Sequence, residues 1–266
     1  MATVGAATAV VQTSGDGDAA SAASASASAT TTTSPATSPS ADALEQVAPG
    51  LARYQREDLE EGLWARPGLA ARDRHLVTLA HLVGSGQTQH LTTYLEDALD
   101  AGLTPAEVSE TVTHLAFYSG WENAASAVGP LQEVFAARGV SAQDLPAASP
   151  DLLPLDQAAE AARAEQVQST YGEVSQGVVD STGEVLFRDL WLRPDLAPRD
   201  RSLVTVTALV SSGQVQQIPF HLGRAMDNGL TEAEVGETMH QLAFYAGWPK
   251  VFSAMPTVGE VLAARR

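Results

Sequence analysis

The chain contains no cysteine, and basic and aromatic residues are scarce. Without cysteine there can be no disulfide, thiolate metal site or thiol-based redox or nucleophilic chemistry. The 266 residues include 15 Lys and Arg against 32 Asp and Glu, which gives a formal net charge of −17. Such a chain offers no basic stripe for phosphates, so we expect no nucleic-acid partner. No apolar run reaches the ~18 residues of a membrane helix, so we expect no membrane span.

The first 42 residues are mostly Ala, Ser, Thr and Gly. Large apolar side chains are nearly absent there, so little can offset the entropy cost of ordering the backbone. We predict a disordered tail over residues 1–42. A signal peptide is the alternative, but the first basic residue is Arg53 and no continuous apolar segment follows the start. We therefore expect a cytoplasmic protein.

The remainder of the chain contains an internal repeat. Residues 64–74 (WARPGLAARDR) recur as residues 191–201 (WLRPDLAPRDR), and the same offset continues to the C-terminus. The repeat is too long for a solenoid unit of about 20–50 residues, so it indicates a duplicated domain. We predict a first repeat over residues 43–141, a proline-containing linker over 142–156 and a second repeat over 157–266.

Each repeat has helical patterning. In the first repeat, apolar spacing predicts helices over residues 72–83 and 87–101, the second ended by Gly102. A third helix is predicted to begin at the capping box from Thr104 to Glu107. The second repeat carries the same signals, and neither shows strand-like alternation. The predicted fold class is all-α.

A polar stripe interrupts the second predicted helix of the second repeat. Gln214, Gln217 and His221 follow i, i+3, i+7 spacing, which places them on one helix face. Two interpretations stay open: a buried hydrogen-bond network that fixes helix register, or a functional site. The equivalent positions in the first repeat are Gln87, His90 and Tyr94.

The third predicted helix adds a histidine to each repeat. Glu110 and His114 lie at i, i+4 in the first repeat, and Glu237 and His240 at i, i+3 in the second. Neighbouring leucines and phenylalanines indicate that this helix is largely buried. The chain has six histidines, but no His-Glu-x-x-His or His-x-His pair is present. We therefore predict no metal ligands.

Doubled Arg-Asp-Arg motifs begin the first helix of each repeat. The aspartates complement the helix dipole, whereas the arginines gain nothing from that position. Arg199 and Arg201 are therefore candidates for binding a substrate carboxylate, since a guanidinium matches a planar carboxylate. The alternative, which we favour, is ion pairing at an interface.

Together these segments resemble the carboxymuconolactone decarboxylase family, whose fold is shared with alkylhydroperoxidase D. The resemblance covers both repeats and implies two tandem all-helical domains. It also implies homo-oligomers, with sites beside the helix that bears the family histidine. The matching segments in the second repeat are 191–196 (WLRPDL), 201–205 (RSLVT), His221, 228–234 (NGLTEAE) and 245–249 (YAGWP).

The sequence also departs from the family pattern. The peroxidase-like branch has Cys-x-x-Cys where Gln214 and Gln217 stand, which excludes peroxidase activity. The decarboxylases carry glutamates at Gln216 and Gln217, but His221 matches their histidine, whereas the first repeat has Tyr94. The second repeat is therefore the expected working unit, and the first has diverged or specialised around His90 and His114.

The resemblance implies decarboxylation of a small lactone or β-keto carboxylic acid, which needs no cofactor because the substrate carbonyl is the electron sink. The enzyme must supply an acid for carbon and donors for the oxyanion. We expect His221 to be that acid, with Gln214 and Gln217 orienting substrate oxygens and Arg199 or Arg201 holding a carboxylate. Further candidate substrate-binding residues are Tyr245, Trp248, His240, His90 and His114.

Two other functions stay open. One is a metal-dependent oxygenase or ring-cleaving enzyme that uses the histidine-rich first repeat. The other is a non-catalytic member that binds a small lactone or aromatic ligand. Because single-repeat hexamers would correspond to three duplicated chains, we expect a homotrimer, with a dimer as the alternative.

Overall fold

The computed structural model describes residues 40–266, and the predicted tail lies outside them except at its last three residues. The first described helix begins at Ala41. The Ser40 side chain accepts a hydrogen bond from the Ala43 backbone amide and caps that helix.

The described residues are helical and contain no β-strand, which confirms the all-α prediction. Each repeat also contains a π-helical segment at an equivalent position, Gln55–Leu63 in the first and Thr182–Phe187 in the second. The α-helices are α1 Ala41–Val47, α2 Pro49–Tyr54, α3 Ala71–Gly84, α4 Leu91–Asp100, α5 Pro105–Tyr118, α6 Trp121–Ser126, α7 Val128–Ala137, α8 Gln157–Tyr171, α9 Gln176–Ser181, α10 Pro198–Ser212, α11 Ile218–Asp227, α12 Glu232–Tyr245 and α13 Trp248–Ala263.

Local signals set the helix ends. Thr104 and Thr231 form complete capping boxes at the starts of α5 and α12, as predicted. Gly102 follows α4 with φ of +101°, a conformation that favours glycine, also as predicted.

The second helix of each repeat starts later than predicted, at Leu91 and Ile218. Pro219 occupies the first turn of α11, where its missing N–H costs nothing. Residues 215–217 form a short 3₁₀ turn before it. Gln214, Gln217 and His221 therefore do not share one helix face, and that part of the prediction is wrong.

Both repeats belong to one compact unit, which contains all the described residues, 40–266. Helices α3 and α10 are its most buried elements, and they pack against each other across the repeat boundary. Their first turns exchange ion pairs: Arg72 contacts Asp200 at 2.7 Å, and Arg199 contacts Asp73 at 2.7 Å. The Arg-Asp-Arg motifs thus form an interface between the repeats, which is the favoured alternative.

Candidate functional site

Two equivalent sites lie between the repeats, and each contains side chains from both. Trp191 Nε1 donates to the Tyr118 hydroxyl at 2.8 Å, and Trp64 Nε1 donates to the Tyr245 hydroxyl at 3.0 Å. The tyrosine at the end of α5 therefore completes the second repeat's site, and the tyrosine of α12 completes the first's. We call them the His221 site (His221, Trp191, Tyr118, His114, Arg224, Phe187) and the Tyr94 site (Tyr94, Trp64, Tyr245, His75, Glu60, Asp97).

A buried ion network lies beneath the His221 site. The Glu110 carboxylate accepts hydrogen bonds from Arg193 at 2.8 and 2.7 Å and from Arg201 Nη2 at 2.9 Å. The side chains of Glu110 and Arg201 are 1% and 0% exposed. Because Glu110 comes from the first repeat and both arginines from the second, this network joins the repeats.

The equivalent network beneath the Tyr94 site contains Glu237. Its carboxylate accepts from Arg66 and from Arg74 Nη2, the latter at 2.7 Å. These hydrogen bonds lower the pKa of Glu237 to about 2. The Arg66 side chain is 47% exposed, so this copy of the network is the more solvated one.

His114 lies fully buried above Glu110. Thr205 Oγ1 donates its single hydrogen to the Arg201 carbonyl at 2.9 Å, so it must accept from His114 Nε2 at 2.7 Å. The His114 proton is thereby assigned to Nε2. Burial, with the charges of Arg201 and other cations, holds the pKa of His114 well below its usual range. His114 is therefore a neutral support for Tyr118, on which its ring stacks at 4.6 Å.

His221 lies between aromatic rings, and one of its nitrogens is unused. Its ring is stacked 5.9 Å from Trp191 and meets Tyr118 edge-on at 5.3 Å. Its Nδ1 is buried without a hydrogen-bond partner among the described residues. Burial and the positive charge of Arg224 lower the pKa of His221 to about 4, so His221 is neutral at pH 7 in the unliganded protein.

Arg224 is one helical turn after His221 and has no counter-ion. Its guanidinium lies 4.3 Å over the Trp191 ring and 5.5 Å over the Phe187 ring. None of its nitrogens forms an ion pair or hydrogen bond with residues 40–266, and its Nε is fully buried. Neighbouring Arg163, in contrast, is held by Glu160 at 2.7 Å. Arg224 is therefore a positive charge in the His221 site without a direct ion pair among residues 40–266, and Glu160 and Asp227 act on it only at longer range.

The Tyr94 site opens into a cavity of about 690 Å³. Trp64, His75, Tyr94 and Tyr245 line it, together with Glu60 and Asp97 near the surface. Burial lowers the pKa of His75, and its Nδ1 is buried without a partner among the residues described. Of the predicted residues, His90 and Tyr245 line this cavity.

The other predicted residues lie in different parts of the structure. His114 belongs to the His221 site and Arg201 to the ion network beneath it, whereas Arg199 is engaged by Asp73, Asp200 and Glu234. Tyr245 belongs to the Tyr94 site. Gln214 and Gln217 are exposed before α11, and His240 and Trp248 line a separate apolar cavity between α12 and α13. Their predicted roles stay predictions.

Sequence reasoning missed Tyr118, Trp191 and Arg224. Arg224 follows His221 at i+3 and could have been found from helical spacing. Tyr118 was missed because it belongs to the first repeat, whereas the His221 site was expected to consist of residues from the second. No cluster of three potential metal-ligating His, Asp or Glu side chains occurs within residues 40–266.

The protein is thus an all-helical unit of two equivalent repeats, with aromatic and histidine-containing sites between the repeats. The model of the carboxymuconolactone decarboxylase family matches residues 51–133 and 177–259. Since these matches cover more than half of the chain, the protein belongs to this family as a tandem-duplicated member.

Two relatives carry decarboxylase names. A 4-carboxymuconolactone decarboxylase from Acinetobacter baylyi is 36% identical over 73 residues, 27% of this chain and 54% of the relative. A nitrosuccinic acid decarboxylase from Metarhizium robertsii is 33% identical over 66 residues, 25% of this chain and 46% of the relative. The chain thus spans about half the length of these relatives. Among the described residues, no helix is long and apolar enough to cross a membrane.

Proposed function

We propose that the protein decarboxylates a small lactone or β-keto carboxylic acid in the His221 site. The observation that carries this proposal is Arg224, a half-buried guanidinium without a counter-ion beside His221 and Tyr118. An unpaired charge in such a position is costly unless a ligand compensates it. A carboxylate is the natural counter-ion, because it accepts two parallel hydrogen bonds from a guanidinium.

Arg224 would hold a substrate carboxylate other than the one that leaves. Binding the leaving group there would stabilise the ground state, because its negative charge moves away as the C–C bond breaks. The apolar rings of Phe187 and Trp191, 8% and 2% exposed, offer a wall that favours the neutral CO₂ product. Phe187 and Arg224 fill the space over Trp191, so their side chains must move when substrate enters.

Tyr118 is the donor that we assign to the developing enolate oxygen. Its hydroxyl accepts from Trp191, and its own hydrogen has no acceptor within residues 40–266. Burial raises the pKa of Tyr118 to about 12, so the phenol is protonated at neutral pH. A fixed donor aimed at a developing oxyanion stabilises the transition state.

His221 would then protonate the carbanionic carbon. In the unliganded site it is neutral, and neutral imidazole is a poor acid. Burial is the larger cause of the low pKa of His221, and the positive charge of Arg224 is the second. The negative charge of a carboxylate bound at Arg224 opposes that second cause and favours the imidazolium. Substrate binding thereby charges the acid that the reaction needs, with its pKa brought nearer the working pH.

The proposal is tested by CO₂ release from a panel of γ-lactone and β-keto carboxylic acids, each of which carries a second carboxylate for Arg224. For a substrate that is turned over, Arg224→Gln should raise KM about 10- to 100-fold, the loss expected for a charged hydrogen bond. His221→Ala should lower kcat about 10²- to 10⁴-fold while the helical circular dichroism is retained. Arg138→Gln is the control, because Arg138 pairs with exposed Asp100 outside both sites.

The separate effects on kcat and KM distinguish the acid role of His221 from the carboxylate-binding role of Arg224. Near-normal kcat in His221→Ala would contradict the acid assignment. Unchanged KM in Arg224→Gln would contradict carboxylate binding there. If the whole panel binds at Arg224 but releases no CO₂, the chain is a binding protein, which is the non-catalytic alternative.

We also propose a cytoplasmic homotrimer. The oligomer is supported by exposed aromatic side chains at equivalent positions of the two repeats, Trp121 at 67% and Trp248 at 52% exposure. Phe252, one turn after Trp248, is 66% exposed. Apolar patches of this kind are typical of interfaces between subunits.

A further inference from the structure

The cavity of the Tyr94 site is not used by the proposed reaction. It occupies the position in the first repeat that Phe187, Phe220 and Arg224 fill in the second. At an offset of 127 positions, Phe187 corresponds to Glu60, Phe220 to Thr93 and Arg224 to Asp97. Two large rings are thus replaced by smaller or more exposed side chains, and the first repeat has an open volume of about 690 Å³ there.

The same replacements reverse the charge of the site. The lining of the Tyr94 site includes the carboxylates of Glu60 and Asp97 but no arginine or lysine. Asp97 has no ion pair among the described residues, and Glu60 accepts only from the neutral Gln55 amide, at 2.9 Å. His75 does not compensate them, because burial keeps its pKa low and its ring neutral at pH 7.

The inner wall is aromatic. Trp64 meets the Tyr245 ring edge-on at 6.3 Å, and Tyr94 meets it at 6.1 Å. Tyr54 and Phe244 also line the cavity, and Arg53 lies 4.1 Å over the Tyr54 ring. Aromatic rings around one space attract a cation through their quadrupoles, and two exposed carboxylates add Coulombic attraction. A carboxylate ligand would meet the opposite field.

We propose that the Tyr94 site binds an organic cation, an ammonium group carried on an apolar or aromatic body. The duplicated chain then has two sites of opposite charge: the His221 site takes a carboxylate, and the Tyr94 site takes an amine. This inference does not depend on decarboxylation, since it follows from the cavity, its charges and its rings alone.

The test is calorimetric titration of the full chain at pH 7 with three probes of similar size. These are benzyltrimethylammonium, benzyl alcohol and phenylacetate. We expect the cation to bind at least tenfold more tightly than the neutral alcohol, and phenylacetate not to bind in this cavity. Asp97→Asn should weaken cation binding about tenfold. Asp100→Asn is the matched control, because Asp100 is on the same helix but outside the cavity lining and should leave the affinity unchanged.

A gain-of-function variant adds a second test. Asp97→Arg places at position 97 the residue type found at position 224. In a chain that also carries Arg224→Gln, which removes the proposed carboxylate site, Asp97→Arg should abolish cation binding and create binding of phenylacetate. Thermal melting of each variant shows that it is folded. Equal affinity for cation and alcohol, no cation binding, or equal losses in Asp97→Asn and Asp100→Asn would each overturn the proposal.

Discussion

The Glu110 and Glu237 networks both join the repeats. We predict that breaking the Glu110 network lowers the free energy of unfolding more than breaking the Glu237 network does. Glu110→Gln keeps the shape of the side chain but removes the counter-ion of Arg201, whose side chain is 0% exposed. Removing one partner of a buried pair costs about 3–5 kcal/mol, because the other charge stays buried and uncompensated. We expect the free energy of unfolding to fall by that amount.

Glu237→Gln is the matched variant in the other repeat. Glu237 is 13% exposed and its partner Arg66 is 47% exposed, so water can solvate the Arg66 charge that remains. Its other partner, Arg74, is 0% exposed and would stay buried without a counter-ion. We expect the free energy of unfolding to fall by about 2–3 kcal/mol, between the values for surface and buried pairs.

The assay is urea unfolding of both variants and the wild type, followed by circular dichroism at one protein concentration. Near the melting temperature, about 4 kcal/mol corresponds to a decrease of about 8–16 °C for a unit of this size. A cost below about 1 kcal/mol for Glu110→Gln, or a larger cost for Glu237→Gln, would refute the view that the buried cluster holds the repeats together.

Three further predictions follow from the same contacts. First, burial lowers the pKa values of His81 and His221 to about 4, below the unfolded value of about 6.5, so stability is full above pH 6.5 and falls as pH drops toward 4. Each histidine accounts for about 3 kcal/mol of the free energy of unfolding. When urea unfolding is measured between pH 7 and 4.5, this free energy should fall less steeply with decreasing pH in His81→Gln than in the wild type. An equal dependence on pH would contradict the assignment. Second, Tyr118→Phe should lower kcat about 10²-fold with little change in KM, and a change in KM alone would mean that Tyr118 only binds substrate. Third, light scattering should give a trimer that Trp248→Glu dissociates, whereas a wild-type monomer would contradict the oligomer proposal.

The helices were predictable because their signals are local. The capping boxes at Thr104 and Thr231 and the turn at Gly102 depend on neighbours in sequence, and all three were found. The start of α11 was missed because the predicted helix included Gln214 and Gln217, whereas Pro219 lies in its first turn. That error placed Gln214 and Gln217 on the same face as His221.

The composition of the sites was not predictable from either repeat alone. Glu110, His114 and Tyr118 lie on one helix of the first repeat, but their partners Arg201, Thr205 and Trp191 lie in the second. Periodicity shows which residues share a helix face, and it does not show which helix faces them. The opposite charges of Asp97 and Arg224 become informative only once the two cavities are seen to be equivalent.

The most direct test of the central claim is a titration of the histidines by NMR with and without tricarballylate, a tricarboxylate that lacks the carbonyl needed for decarboxylation. An opposite charge within about 4–6 Å of a titratable group shifts its pKa by about 1–3 units toward the charged form. The account predicts that tricarballylate raises the pKa of His221 from about 4 to about 6 in the wild type and not in Arg224→Gln. Tricarballylate binding that leaves the His221 pKa unchanged in the wild type would contradict a carboxylate bound between Arg224 and His221.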